Sequence, residues 1–256
     1  MRRRLIILGI IAVVLAATLT IFYFANYHTA ASCFDNKQNQ KEEGIDCGGT
    51  CSYLCTASVQ PPSVRFVRPL SPVPGRTDVI AYIDNPNTDS AARALPFTIE
   101  LYDERNEVVV TKEGVVDLPP ASTVPIYVPA LSSGSQSVVR AFITFDTPQH
   151  LWYRFAEKQT VPQVGDIRID QSGMPRITAT ASNPSVTSFT NTVFIATVFD
   201  AEGNAIAASR TIAQSIPVQG SAGLVFTWTQ PFTAPVSRVE VIPILALPVQ
   251  VAPLRP

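Results

Sequence analysis

Two stretches of this chain carry the same pattern: Asp78-Val-Ile-Ala-Tyr-Ile-Asp-Asn-Pro-Asn87 and Arg176-Ile-Thr-Ala-Thr-Ala-Ser-Asn-Pro-Ser185. Each is a short strand pattern that ends at an Asn-Pro pair, because proline has no N–H for a strand ladder. The two copies lie about 98 residues apart, which is the length of a small domain. The sequence therefore predicts one structural unit that is used twice.

The similarity between the two copies continues beyond the Asn-Pro pair. Leu101-Tyr102-Asp103 aligns with Val198-Phe199-Asp200, and Asn106 aligns with Asn204 after a slip of one residue. Short strand patterns between Pro, Gly, Asn and Asp breaks fill both copies, without a long helical periodicity. We expect a mainly β protein with two tandem immunoglobulin-like β-sandwiches, each with about six or seven strands. Strands are predicted at 78–83, 97–102, 108–111, 122–128, 138–145, 176–181, 192–199, 206–210, 223–228 and 238–242.

The repeated unit resembles the FxLYD family of exported bacterial proteins and, more distantly, the water-stress and late-embryogenesis sandwich domains. The resemblance rests on Phe97-Thr-Ile-Glu-Leu-Tyr-Asp103 and Phe194-Ile-Ala-Thr-Val-Phe-Asp200, each followed by an acidic or glycine-containing turn. It implies an immunoglobulin-like fold and an exported protein, and it supplies no catalytic residues.

The N-terminal segment Leu5–Phe24 has no charged residue and follows three arginines. About 20 helical residues span the roughly 30 Å hydrocarbon core of a bilayer, and basic flanks stay on the cytoplasmic side. We therefore expect a cytoplasmic N-terminus at residues 1–4, a single transmembrane helix over 5–27 in the cell membrane, and extracytoplasmic domains after it. The bilayer is thus an expected partner.

Two alternatives to a permanent anchor concern the same region. The first is a cleaved signal peptide, although its apolar part would be shorter and would lead to a small-residue cleavage site. The second is a bacterial lipobox at Ala30-Ala31-Ser32-Cys33, in which Cys33 would be lipidated. Either alternative keeps the protein outside the cytoplasm.

All four cysteines, Cys33, Cys47, Cys51 and Cys55, lie shortly after the apolar segment. In an oxidising compartment such a set predicts two disulfides, with three possible pairings. The intervening residues are too polar to form an apolar core, so covalent bonds must supply the order. Zinc bound by Cys47, Cys51 and Cys55 is an alternative, whereas the common iron–sulfur spacings are not matched.

Oxygen-bearing side chains are concentrated between these cysteines. Asp35, Asn39, Glu42 and Asp46 surround Gly44 at short intervals, which is typical of loops that bind hard cations. The EF-hand pattern is not matched. The sequence predicts a calcium site here, and the alternative is a solvated polar loop between disulfides.

The segment from Cys33 to Cys55 resembles a short cysteine module of bacterial surface proteins, broadly C-x-D-G-x-x-N-x-x-E-x-G-x-D-C-G-G-x-C-x-x-C. It departs from that pattern at Asn36, where glycine is usual, and in the spacing before Cys55. The resemblance implies a surface or secreted context and no activity. The matching positions are Cys33, Asp35, Asn39, Glu42, Gly44, Asp46, Cys47, Gly48, Gly49 and Cys51.

Charge and histidine content disfavour two classes of function. A net charge of −1 provides no basic face for nucleic acid. The two histidines, His28 and His150, have no nearby catalytic motif such as Gly-x-Ser-x-Gly. Asp103 and Asp200 occupy the same turn of two copies, so we interpret them as turn residues and not as a catalytic pair. We expect no enzymatic activity.

An aromatic patch separates the two copies. Trp152, Tyr153 and Arg154 form a candidate binding surface, because aromatic residues and arginine dominate binding hot spots. The alternative is that they pack the junction between the sandwiches.

The complete predicted organisation follows from these observations. It comprises a cysteine-rich juxtamembrane module at 28–60, sandwiches at 61–147 and 164–246, a linker at 148–163 and a Pro-rich tail at 247–256. We expect a structural, adhesive or assembly role at the cell surface, with a protein partner or self-association. A calcium- or ligand-sensing ectodomain and an accessory subunit of a secretion or envelope complex are the alternatives.

Overall fold

The computed structural model describes residues 2–27, 32–39, 41–132, 134, 136–146, 152–155 and 159–247. The chain divides into two compact units, Met1–Ser52 and Tyr53–Pro256. The predictions for His28, His150 and the tail beyond residue 247 therefore lie outside the described residues.

The first unit begins with an apolar helix. Helix α1 (Arg2–Tyr27) has 26 residues, which corresponds to about 39 Å at 1.5 Å per residue. Its segment Arg2–Phe24 is long and apolar enough to cross a membrane, and all of its side chains are exposed. Residues 32–39 and 41–52 of this unit form turns, bends and irregular backbone, with an isolated bridge between Gly44 and Cys47.

The first sandwich occupies the beginning of the second unit, after a short 3₁₀ helix (Thr56–Ser58). One antiparallel sheet has the order β1-β2-β5 and the other β4-β3-β6, with β7 also paired to β3. Their facing side chains form one apolar core around Leu95, Ile99 and Leu118. The strands are β1 (Ser63–Val73), β2 (Arg76–Asn85), β3 (Ser90–Tyr102), β4 (Val108–Leu118), β5 (Ser122–Ser132), β6 (Arg140–Phe145) and β7 (Trp152–Arg154).

The second sandwich repeats this arrangement. Its sheets have the orders β12-β9-β8 and β11-β10-β13, again antiparallel, and its core includes Phe194, Ile216 and Phe226. The strands are β8 (Gln163–Asp170), β9 (Arg176–Ser182), β10 (Phe189–Phe199), β11 (Ala205–Ile216), β12 (Ser221–Thr227) and β13 (Arg238–Ile244).

The two topologies match strand for strand, from β1 with β8 to β6 with β13. The predicted fold class, mainly β with two tandem sandwiches, is thereby confirmed. Every predicted strand overlaps an observed one, whereas β1 and β8 had not been predicted. Strand β7 lies inside the segment 148–163, which had been predicted as a linker.

A buried asparagine explains why the Asn-Pro pair recurs. Asn85 and Asn183 are each only 2% exposed. Nδ2 of Asn85 donates to the carbonyl oxygens of Ser90 and Leu118, at 2.8 and 3.3 Å. Nδ2 of Asn183 donates to the carbonyl oxygen of Ile216 at 3.2 Å in the same way. The amide thus satisfies backbone acceptors at the strand end, which neither proline nor an apolar residue can do.

The aspartates in the repeated hairpin are turn residues, as predicted. Oδ1 of Asp103 accepts the N–H of Glu107 at 2.9 Å, and Oδ1 of Asp200 accepts the N–H of Asn204 at 2.7 Å. Glu107 and Asn204 are therefore equivalent. This corrects the alignment of Asn106, which shares its positive φ with Gly203 (63° and 82°) and corresponds to that residue.

The two sandwiches pack on each other through their inner sheets. Strand β2 is buried on both faces, because Val79, Ala81 and Ile83 face the first core while Ile80 and Tyr82 face the second sandwich. A third apolar cluster lies between the sheets β1-β2-β5 and β11-β10-β13, so the described part of the second unit has four stacked sheets. The buried residues of this cluster are Leu70, Ile80, Tyr82, Ile195, Phe199, Ala205 and Ala208.

Candidate functional site

The cysteine-rich segment is held by disulfides. Cys33 is bonded to Cys51, with their Cα atoms 5.7 Å apart. Cys47 and Cys55 are disulfide-bonded as well, and no described cysteine is free. The prediction of two disulfides is therefore confirmed.

Two buried carboxylates organise the backbone around this disulfide. Asp46 is 5% exposed, and its oxygens accept the N–H groups of Asp35 (2.9 Å) and Asn36 (2.9 and 3.2 Å). Glu42 is 6% exposed, and its Oε2 accepts the N–H groups of Asn39 (3.1 Å) and Asp46 (3.3 Å). These bonds compensate the loss of hydration that burial of a charge entails.

The other two residues of the predicted calcium site lie in the same loop. Nδ2 of Asn39 donates to Oδ2 of Asp35 at 2.7 Å, and this hydrogen bond lowers the pKa of Asp35. Oδ1 of Asn39 is buried and has no hydrogen-bond partner in the described part of the chain. Hydrogen bonds connect Asp35 with Asn39 and Asp46, and Glu42 with Asn39 and Asp46, and calcium binding stays a prediction.

Steric crowding explains why glycine is required in the Gly48-Gly49 pair of the cysteine-rich segment. Gly49 has a φ of +56°, and a Cβ at this position would overlap the carbonyl oxygen of Lys41. Any other residue at position 49 would push apart the backbone that holds Glu42.

The predicted binding surface at Trp152, Tyr153 and Arg154 needs a correction. Trp152 is 1% exposed and belongs to the core of the first sandwich, and Tyr153 is 2% exposed. Both lie on β7, where Ala92 pairs with Trp152 and Ala91 with Tyr153. Only Arg154 is exposed. The two aromatic residues therefore pack the interior, because β7 completes the sheet next to β3.

A cleft of ≈ 1240 Å³ lies where the two sandwiches meet, and sequence reasoning did not find it. The β1–β2 turn forms one wall, and the beginning of β11 and residues 227–233 form another. Tyr127, Trp228 and Phe232 contribute aromatic surface to the lining. The segments that line the cleft contain several prolines, such as Pro72, Pro74 and Pro231. These prolines indicate turns in the sequence, but they do not indicate that the segments lie next to each other.

Two of the charged residues that line the cleft, Arg76 and Asp78, form a satisfied cluster. Asp78 is 4% exposed and accepts hydrogen bonds from Nε and Nη2 of Arg76 (2.9 and 3.1 Å), from Oη of Tyr127 (2.7 Å) and from the N–H of Ala130 (2.8 Å). Burial and the bond to Asp78 raise the pKa of Tyr127. With both oxygens occupied by these donors, Asp78 has a structural role in the cleft.

No family model and no curated protein matches this chain. Among solved structures, the chain is similar to a crystal structure of red sea bream transglutaminase, with 12% sequence identity and a TM-score of 0.24. The alignment covers 75% of this chain and 32% of the transglutaminase, so it spans about a third of that protein. A similarity at this level carries no argument about function.

Proposed function

We propose that this chain is a non-catalytic protein that α1 anchors in the cell membrane, with a structural, adhesive or assembly role at the cell surface. The observation that carries this proposal is α1, an apolar helix of 26 residues whose side chains are exposed over residues 2–24. Apolar surface of this length is stable in a bilayer, where the helix also satisfies its own backbone hydrogen bonds.

The disulfides support an extracytoplasmic location for the rest of the chain. Disulfides persist in oxidising compartments and are rare in the cytosol. Arg2, Arg3 and Arg4 precede the helix and favour a cytoplasmic N-terminus. Both features agree with a protein that crosses the membrane once and exposes its sandwiches outside.

The cleft supports a macromolecular partner. Its volume of ≈ 1240 Å³ exceeds the roughly 300–1,000 Å³ of small-molecule pockets, and its lining combines aromatic rings with Arg68. Aromatic residues and arginine contribute much of the energy at protein interfaces. A segment of a protein partner therefore fits this cleft better than a metabolite does.

The test is cross-linking of the full-length protein in its native membrane, followed by mass spectrometry. We expect one specific partner, recovered with the wild-type chain and absent from an anchor without residues 53–256. Thr229→Arg, in the exposed lining of the cleft, should reduce recovery about tenfold or more. Thr144→Arg, on the exposed outer face of β6, is the matched control and should leave recovery unchanged.

Two other cross-linking results and one extraction result would change this proposal. A partner of a secretion or envelope complex would identify the chain as an accessory subunit. Recovery of only this chain would favour self-association or a passive spacer. Release of the protein from membranes by alkaline carbonate would contradict the anchor itself.

Calcium sensing is a second candidate function, favoured by the unpartnered Oδ1 of Asn39 in an oxygen-rich loop. If it is correct, 1 mM calcium, which is about the level that extracellular modules respond to, should raise the Tm of the full-length protein. Asp35→Asn should abolish this rise, whereas Asp84→Asn in β2 should preserve it. An unchanged Tm with calcium and with a chelator would eliminate this candidate.

A further inference from the structure

The carboxylate of Glu42 faces the disulfide between Cys33 and Cys51 in a way that its role in the loop does not explain. Only Oε2 of Glu42 accepts backbone N–H groups. Oε1 lies 3.2 Å from Sγ of Cys51. A disulfide sulfur has no hydrogen to donate, so this oxygen is directed at the sulfur without a proton between them.

Both Glu42 and Cys51 are buried, so a carboxylate oxygen without a hydrogen-bond donor is unusual at this position. Glu42 is only 6% exposed, and Cys51 is 3% exposed. A buried carboxylate oxygen is normally paired with a donor or a cation, because an unpaired charge is costly to bury. No N–H or O–H donor to Oε1 is found in the described residues around it.

The three side chains have the dimensions of a metal site once the disulfide is open. The ligand atoms of Cys33, Glu42 and Cys51 all lie within 4.8 Å of one another. In a tetrahedral zinc site with Zn–S of about 2.3 Å and Zn–O of about 2.0 Å, sulfur and oxygen are roughly 3.5 Å apart and two sulfurs roughly 3.8 Å apart. The observed 3.2 Å between Oε1 and Sγ is close to the first value.

We propose that the reduced form of this segment binds one zinc ion through Cys33, Cys51 and Glu42, with water in the fourth position. Two thiolates and one carboxylate are ligands that zinc accepts. Every newly made chain begins with free thiols, so the reduced form precedes the oxidised one. An oxidising disulfide of the exported compartment later takes two electrons from the two thiolates by thiol–disulfide exchange, leaves as two thiolates and releases the zinc ion, because sulfurs that have bonded to each other are no longer strong ligands.

The reduced state is obtained in vitro with a water-soluble phosphine. The phosphine transfers two electrons to the disulfide and becomes a phosphine oxide with the oxygen of one water molecule. The two hydrogens of that water appear on the two thiols. Zinc binding then displaces both thiol protons into the solvent, so affinity should rise with pH.

The experiment uses the full-length protein in detergent micelles, reduced without oxygen and freed of excess phosphine. The variant Cys47→Ser/Cys55→Ser removes the other two thiols and isolates the proposed ligands. Cobalt, as a spectroscopic substitute for zinc, should give the sulfur-to-metal charge-transfer band and the visible bands of a tetrahedral site. The oxidised wild-type protein should give neither.

Glu42→Gln tests the carboxylate, with the exposed Glu43→Gln as the matched control. Loss of an outer-shell partner alone costs roughly 10–100-fold in metal affinity, so loss of a direct ligand should weaken zinc binding by at least about tenfold. Glu43→Gln should not change the affinity. In chains that keep all four cysteines, re-formation of the native bond between Cys33 and Cys51 on oxidation, seen by peptide mass spectrometry, identifies each glutamine variant as correctly folded.

X-ray absorption on the zinc-loaded variant Cys47→Ser/Cys55→Ser tests the ligands directly, without a substitution of Glu42. X-ray absorption at the zinc edge should show two sulfur ligands at about 2.3 Å, with oxygen ligands at about 2.0 Å. Zinc ligation without two sulfurs, or an affinity of Glu42→Gln equal to that of the wild type, would overturn the proposal. So would the absence of a tetrahedral cobalt spectrum.

Discussion

Trp152→Ala is expected to lower the free energy of unfolding by about 3–5 kcal/mol. The indole ring is 1% exposed and lies in the core of the first sandwich with Leu54, Ala92 and Leu118. Removing it leaves a large cavity that the surrounding sheet cannot close, because β7 and β3 are fixed by their pairing. Urea denaturation followed by circular dichroism measures the loss.

Arg154→Ala, two positions along the same strand, is the control for this prediction. Arg154 is exposed and pairs with Ser90 at the sheet edge, so its removal should change the free energy of unfolding by about 0.5 kcal/mol or less. Equal effects of both substitutions would contradict the assignment of Trp152 to the core. Trp152→Phe should lower the free energy of unfolding by an amount between those of Trp152→Ala and Arg154→Ala, because phenylalanine retains part of the ring volume.

The strands of both sandwiches could be predicted because their local signals agree with the final fold. Short apolar or alternating runs, together with Asn-Pro and Asp-containing turns, indicated ten of the thirteen strands in the described part of the chain. The same signals recurred at one spacing, which identified the repeat. The buried amides of Asn85 and Asn183 show that this recurrence has a structural cause.

Strands β1, β7 and β8 could not be identified by the same reasoning. Strand β8 is exposed along nearly its whole length and contains a bulge, with Asp166 at a φ of 51°, so it has no clean alternation. Strand β7 has only three residues. Its Trp152 and Tyr153 resemble a binding surface in sequence, since nothing local shows that Trp152 enters the core of the first sandwich and that Tyr153 packs against Ala91 and Leu247.

The contact between the sandwiches has a counterpart in the sequence of β2. Val79-Ile-Ala-Tyr-Ile83 is apolar without alternation, which is typical of a strand buried on both faces. The partner of the second face, however, is β10 with its neighbours, more than a hundred residues away. The cleft follows from this contact, so it could not be predicted either.

The candidate metal site was only partly accessible from sequence. Spacing and residue type indicated disulfides and an oxygen-rich loop around Glu42 and Asp46. The direction of each carboxylate oxygen depends on the pairing of Cys33 with Cys51, which is one of three possible pairings. Sequence therefore identified the residues but not the approach of Glu42 to the sulfur.

Phe199→Ala is expected to destabilise the protein by about 3–5 kcal/mol and to uncouple the unfolding of the two sandwiches. Phe199 is 2% exposed, and its ring packs edge-on against Phe66 and Tyr82, each with centroids 6.1 Å apart. Arg238 lies over the same ring, 4.1 Å from its centroid. This ring therefore fills the centre of the apolar contact between the inner sheets.

The two tryptophans make this coupling measurable, because Trp152 reports on the first sandwich and Trp228 on the second. With 5-fluorotryptophan, the full-length protein should give two fluorine resonances, assigned with Trp228→Phe. In the wild-type protein both native resonances should disappear at the same urea concentration, since each sandwich buries apolar surface against the other.

In Phe199→Ala the two resonances should disappear at different urea concentrations. Phe142→Ala is the matched control, because this phenylalanine is 52% exposed on the outer face of β6 and does not belong to the apolar cluster between the inner sheets. It should leave one common transition. A common transition in Phe199→Ala at the wild-type midpoint would show that the sandwiches are joined by something other than this contact.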